Sequence, residues 1–201
     1  MGKYPQRQKL NHKQIITLIV LSIILIIVVP LSISMFNKTN SSNTPSHLNS
    51  QTIPKNYRSA LATAKNYSNV MHMSKRDIAD QLATVNEKFT SKAIDYALKH
   101  LQVDYSKNAL KKAKEYSDSQ NMSKQAIYDQ LISKGKFTAK QAQFAVDNLK
   151  ADYNQNALIT AKAYQKDLNF SPATIRQVLI SDKNEKFTPE QADYAIQHLN
   201  E

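Results

Sequence analysis

Ala109-Leu110-Lys111-Lys112-Ala113-Lys114-Glu115-Tyr116 opens a segment that this chain carries three times. The same Ala-Leu-x-x-Ala-Lys-x-Tyr stands at 60–67 and at 157–164, so the period is about 48 residues, within the range that marks a repeat architecture. Each copy continues with an apolar residue and Ser (Met73-Ser74, Met122-Ser123, Phe170-Ser171) and then Phe-Thr (Phe89-Thr90, Phe137-Thr138, Phe187-Thr188). An aromatic-Ala pair follows (Tyr96-Ala97, Phe144-Ala145, Tyr194-Ala195), and the copies close on Leu101, Leu149 and Leu199. A catalytic site is rarely written three times. Positions that recur at one period describe what a structural unit needs to bury its core and dock on its neighbours.

Within the middle copy, Tyr105, Ala109, Ala113 and Tyr116 fall at i, i+4, i+8 and i+11, one face of a helix whose small alanines allow close packing. The Ser that follows in each copy is placed as an N-cap, its hydroxyl able to accept from an orphan amide of the next helix. Pro172 directly after Ser171 suits the first helical turn. Met73 with Ile78, Met122 with Ile127 and Phe170 with Ile175 have the spacing of a hydrophobic staple, so a second helix begins at each Ser. Thr138 with Gln141 and Thr188 with Gln191 have capping-box spacing, and Phe89 can staple to Ile94, so a third helix begins at each Thr. Asp104 and Asp152 are candidate N-caps at the start of the next copy.

The predicted class is all-α, with repeats at 57–104, 105–152 and 153–201, each of three short helices. Composition agrees: the 201 residues include two Gly, no Cys and no Trp, and few Val or Thr beyond the first 40. Disulfides and thiolate metal sites are excluded, and turns must be made almost without glycine.

The N-terminal quarter is different in kind. The uncharged run 15–36 is 22 residues long, and about 20 helical residues span a bilayer core. Lys3, Arg7, Lys9 and Lys13 precede it and only Lys38 follows closely, which places 1–14 in the cytoplasm and the repeats outside a single-pass membrane anchor. The competing reading is a signal peptide cleaved near Ser34, which secretes the repeats. Residues 37–56 are polar, rich in Ser, Thr and Asn, and read as a flexible stalk spanning about 25 Å as a coil.

The repeated residues resemble the host cell surface-exposed lipoprotein family, the Ltp-like repeats, through Ala-Leu-x-x-Ala-x-x-Tyr, Met-Ser, Gln-Leu (Gln81-Leu82, Gln130-Leu131) and Phe-Thr followed by Tyr-Ala. The third copy departs most, with Val178-Leu179 and Phe170, as a capping repeat would. The resemblance implies compact helical units with helix-turn-helix character displayed on bacterial surfaces, and superinfection exclusion by keeping phage DNA from entering the cell. It also implies a lipid-modified cysteine, which this sequence lacks, so the tether falls to 15–36.

Chemistry has little support. His12, His47, His72, His100 and His198 form no ligand spacing, and His100 and His198 occupy equivalent positions near helix ends, where a cation is favoured. No nucleophile motif or phosphate-binding glycine loop is present, so no catalytic, metal or cofactor residue is expected. The net charge of +11 divides into +6 over 1–56 and +5 over 57–201. Lys107, Lys111, Lys112 and Lys114 make the densest basic cluster, and Tyr128 stands apart from the shared core pattern because Ala79 and Arg176 replace it in the other copies. These five are the candidate partner-binding residues. The expected partner is a protein, a component of an incoming phage's entry apparatus, with an anionic wall polymer or another surface protein as the alternative. Cytoplasmic DNA is disfavoured by export and by Asp95, Asp147 and Asp193 on the third helices.

Overall fold

The computed structural model describes residues 53–84 and 89–201. The basic N-terminus 1–14, the apolar run 15–36 and the stalk up to residue 52 lie outside them. Among the described residues no helix is long and apolar enough to cross a membrane.

Nine α-helices and no strand occur among the described residues, three to a repeat. Repeat 1 holds α1 (Lys55–Asn69), α2 (Lys75–Thr84) and α3 (Ser91–His100); repeat 2 holds α4 (Tyr105–Gln120), α5 (Lys124–Ser133) and α6 (Ala139–Asn148). Repeat 3 holds α7 (Tyr153–Leu168), α8 (Pro172–Ile180) and α9 (Pro189–Gln197). Helix α1 starts at Lys55 on the carbonyl of Pro54, two residues before the expected edge of the stalk.

Local chemistry sets the helix starts. The Ser74 hydroxyl accepts from Asp77 N at 3.1 Å, Ser123 from Ala126 N and Ser171 from Thr174 N. Thr90 caps α3, and Thr138 and Thr188 close full capping boxes with Gln141 and Gln191. Asp104 and Asp152 cap α4 and α7. The first helices turn into the second through residues in the left-handed conformation: His72 (φ 52°), Asn121 (φ 51°) and Asn169 (φ 53°). Asn and His are among the non-glycine residues found most often in this region, which is how a chain with two glycines makes three such turns.

The core of each repeat is built alike. Alanines of the first helix (Ala60 and Ala64, Ala109 and Ala113, Ala157 and Ala161) and of the third (Ala93 and Ala97, Ala142 and Ala145, Ala192 and Ala195) are fully buried, and these two helices are the most extensively packed pair. The second helix closes the bundle with Ile78 and Leu82, Ile127 and Leu131, or Ile175 and Leu179, all fully buried. Each such side chain contributes about 1.5–3 kcal/mol by leaving water.

The repeats then lock to one another by a device that recurs. Asn108, at the start of α4, is buried and donates from Nδ2 to Ser68 O (3.2 Å), Ser68 Oγ (3.0 Å) and Met73 O (3.0 Å) of repeat 1. One period later Asn156 donates to Ser117 Oγ and Met122 O, both at 3.0 Å. Tyr105 packs on the core of repeat 1 and Tyr153 on that of repeat 2. Lys136 and Lys186, both left-handed, reach back to the second helix of the preceding repeat: Lys136 to Asp80 (2.7 Å) and Asp77 (3.3 Å), Lys186 to Asp129. The outer copies lack the matching halves. Repeat 1 has Ser59 and Asn56 where Asn108 and Tyr105 stand, and repeat 3 has Gln165 and Gln177 where Ser117 and Asp129 stand. Gln165 instead bonds Asn200 Oδ1 at 3.3 Å, as expected of a closing unit.

The junction between repeats 2 and 3 also holds a half-buried acid, Glu185. The Tyr164 hydroxyl donates to the Glu185 carboxylate, and the Glu185 carbonyl accepts from Ser123 Oγ at 2.6 Å. Burial raises the Glu185 carboxyl above the ordinary range, and the Tyr164 hydroxyl only partly offsets this. The folded state therefore holds this proton to higher pH than the unfolded chain does. Its contribution to stability falls as pH rises from the ordinary carboxyl range through the raised value, and is constant above it. Asp80, Asp147 and Asp193, lowered by hydrogen bonds to Lys136, Gln143 and Arg176, act in the opposite sense. Subtracting the Glu185→Gln melting profile from that of the parent between about pH 4 and 8 isolates the term. The variant should gain relative to the parent as pH rises; a flat difference would show that the Glu185 carboxyl is not raised in the folded state.

Candidate functional site

With the core and junctions assigned, the surface left to act consists of the outward stripes of the helices. Lys107, Lys111 and Lys114 lie at i, i+4 and i+7 on α4 and are all exposed. Lys107 approaches Asp104 at 3.8 Å and Lys114 pairs with Asp118 at 2.6 Å, both pairs well exposed and worth little. Lys111 between them has no acidic partner within ion-pair distance among the described residues.

Lys112 does not join this stripe. It is 22% exposed and holds Glu115 at 2.6 Å, while the other Glu115 oxygen meets His72 Nδ1 of repeat 1 at 2.7 Å. This makes Lys112 part of the junction between repeats 1 and 2. Adjacent lysines on a helix point about 100° apart, so the sequence cluster is divided by geometry. Tyr128 is half-buried and packs against the core of repeat 2. The five candidates therefore do not form one site. Lys107, Lys111 and Lys114 make a basic stripe, Lys112 joins the junction through Glu115, and Tyr128 packs on the core.

The motif tyrosines are structural. Tyr164 is buried, and burial pushes the Tyr116 hydroxyl up to about 12. The histidines at helix ends have a local task, since His100 Nδ1 meets Tyr96 O and His198 Nδ1 meets Tyr194 O, each at 2.8 Å. In the middle copy Asn148 Nδ2 donates to Phe144 O at the same distance. One polar side chain bonding the carbonyl four residues back explains both residue types. Among the described residues no three His, Cys, Asp or Glu side chains converge as metal ligands. On the third helices, Asp147 pairs with Lys124 at 3.0 Å and Asp193 with Arg176 at 2.5 Å, which ties the second helix to the third.

Sequence reading missed a further part of the surface. The register of Lys107 and Lys114 continues in α1 as Arg58 and Lys65, both exposed, in a helix with no acidic residue. The signal was present, because Lys65, Lys114 and Lys162 share one position of the repeated motif.

Comparison with known proteins agrees with this architecture. A search of curated proteins finds no match to the chain. Among solved structures, the chain is similar to Ltp, described as a superinfection exclusion protein from the Streptococcus thermophilus temperate phage TP-J34. The identity is 47%, covering 49% of this chain and 99% of that one, with a TM-score of 0.46. The sequence profile described as host cell surface-exposed lipoprotein matches three times, at 55–101, 104–149 and 152–199, each match falling on one three-helix unit. With well over half of its residues in those three matches, the chain belongs to the host cell surface-exposed lipoprotein family.

Proposed function

We propose that this protein is displayed on the bacterial surface and excludes superinfecting phage, its helical array blocking phage DNA from entering the cell by contact with a protein of the entry apparatus. The observation that carries the reading is the threefold match to a family described as exposed on the host cell surface. Superinfection exclusion is the activity that the resemblance implies. The run 15–36 serves as the anchor, with 1–14 in the cytoplasm. The array acts by binding and performs no reaction: apart from the exposed motif lysine (Lys65, Lys114, Lys162), the residues that recur in every copy serve caps, cores and junctions.

The test is plating of several phages on a sensitive bacterium carrying the full chain or a chain ending at residue 56, with surface display checked by protease shaving of intact cells. Fewer plaques with the full chain alone support exclusion. Equal plating with displayed repeats removes it for those phages.

The exposed basic stripe favours a second reading, an envelope module held by anionic wall polymers. Binding of that kind weakens steeply with ionic strength, whereas a packed protein interface does not. Loss of partner binding on raising salt from about 0.05 to 0.5 M would move the assignment to the second reading.

A further inference from the structure

We propose that the basic stripes of α1 and α4 rest on an anionic lipid bilayer, leaving the third repeat directed away from it. Charge is graded along the array. Residues 55–104 hold eight Lys or Arg against five Asp or Glu, 105–152 hold nine against five, and 153–201 hold five against six. Helix α1 carries Lys55, Arg58 and Lys65, all exposed, and no acid. In α4 the same register holds Lys107, Lys111 and Lys114; in α7 it reads Gln155, Ile159 and Lys162, with Asp167 near the end. Arg58, Lys65 and Lys111 have no acidic partner within ion-pair distance among the described residues, so their charge is free to act outward.

The position of the charge points to the occupant. A soluble polyanion would favour the two basic repeats wherever they stood in the chain, whereas here both stand on the side of the run 15–36. A charged plane at the foot of the tether meets the first two repeats before the third, and those carry the surplus. The proposal therefore rests on the reading that the repeats are displayed from a membrane. Tethering through a short polar linker raises the effective concentration of the repeats at the surface to about millimolar. Each Lys or Arg near an anionic surface favours contact about fivefold, so a few suffice.

The chain has no cysteine, so single labels are clean. The experiment places a polarity-sensitive fluorophore at Ala62→Cys on the α1 stripe, or at Gln197→Cys in α9, in the full chain reconstituted into bilayers. With phosphatidylglycerol present, the label at 62 should report the headgroup region and that at 197 should report water. Pure phosphatidylcholine or high salt should return 62 to water. A triple variant, Arg58→Gln, Lys65→Gln and Lys111→Gln, should weaken the binding equilibrium about a hundredfold while helical circular dichroism is unchanged.

The proposal is overturned if 62 responds equally to both lipids or if the triple variant binds like the parent. It is also overturned if soluble polyglycerol phosphate, but not phosphatidylglycerol, shields the label at 62, which would make a wall polymer the partner. Failure of the chain to insert would sink the anchor reading alone. Flotation with phosphatidylglycerol vesicles would then decide: salt-sensitive flotation supports the contact and its absence overturns it.

Discussion

Asn108→Ala should lower stability by about 2–3 kcal/mol and let repeat 1 unfold apart from repeats 2 and 3. The Asn108 amide is 6% exposed and reaches two carbonyls and a hydroxyl of repeat 1. Truncation leaves those acceptors buried without a donor, and an orphaned buried polar group costs about 1–3 kcal/mol. Because a tandem array is stabilised by its units plus its nearest-neighbour interfaces, weakening one interface divides the array there. Denaturant unfolding followed by circular dichroism should become biphasic, with amides of α1–α3 losing hydrogen-exchange protection first. Asn156→Ala, which removes two contacts, should do the same for repeat 3 at a smaller cost. A single cooperative transition displaced by less than about 0.5 kcal/mol would show that the asparagines do not join the repeats.

Gly135→Ala should cost about 2 kcal/mol, for lack of space rather than for backbone freedom. Its φ is not positive, yet a Cβ there would lie 2.9 Å from Leu131 O and 2.9 Å from Phe137 Cδ2. One of these atoms is backbone and cannot step aside. The other copies, with Glu87 and Glu185 at this place, have longer connections. Leu131 O accepts from Phe137 N at 2.9 Å, whereas Leu179 O accepts from Phe187 N at 2.8 Å across a loop two residues longer. The shortest of the three connections is the one that carries glycine. Replacing 133–135 with the five residues of 181–185 should therefore recover most of the loss seen in Gly135→Ala. Thermal melts of the parent, Gly135→Ala and the loop graft check this. An alanine variant as stable as the parent would contradict it.

Which features the sequence displayed follows from the range of the interactions. Caps and staples join residues three to five apart, so Ser74, Ser123, Thr138 and Asp104 announce helix starts without knowledge of the fold. The alanine faces were equally legible, because the first helix and the third present them at helical spacing. Small shifts occur only where a local signal is weak: α1 starts at Lys55 on an uncapped Pro54, and α9 stops at Gln197 before the buried Leu199.

The junctions are another matter. Asn108 and its acceptors are 35 and 40 residues apart, and nothing local distinguishes it from a solvated asparagine. The available signal was comparative, since Asn stands in copies 2 and 3 and Ser59 in copy 1. The lysine cluster was misgrouped for the converse reason. Neighbours in sequence, Lys111 and Lys112 face solvent and the repeat junction respectively.

The central claim, that the displayed repeats stop phage DNA from entering, is tested most directly by counting phage genomes inside cells at equal adsorption. Cells carrying the full chain are compared with cells carrying only 1–56. Normal adsorption with few internal genomes in the first strain alone is the predicted result. Equal internal genomes in both strains, with the repeats displayed, would contradict it.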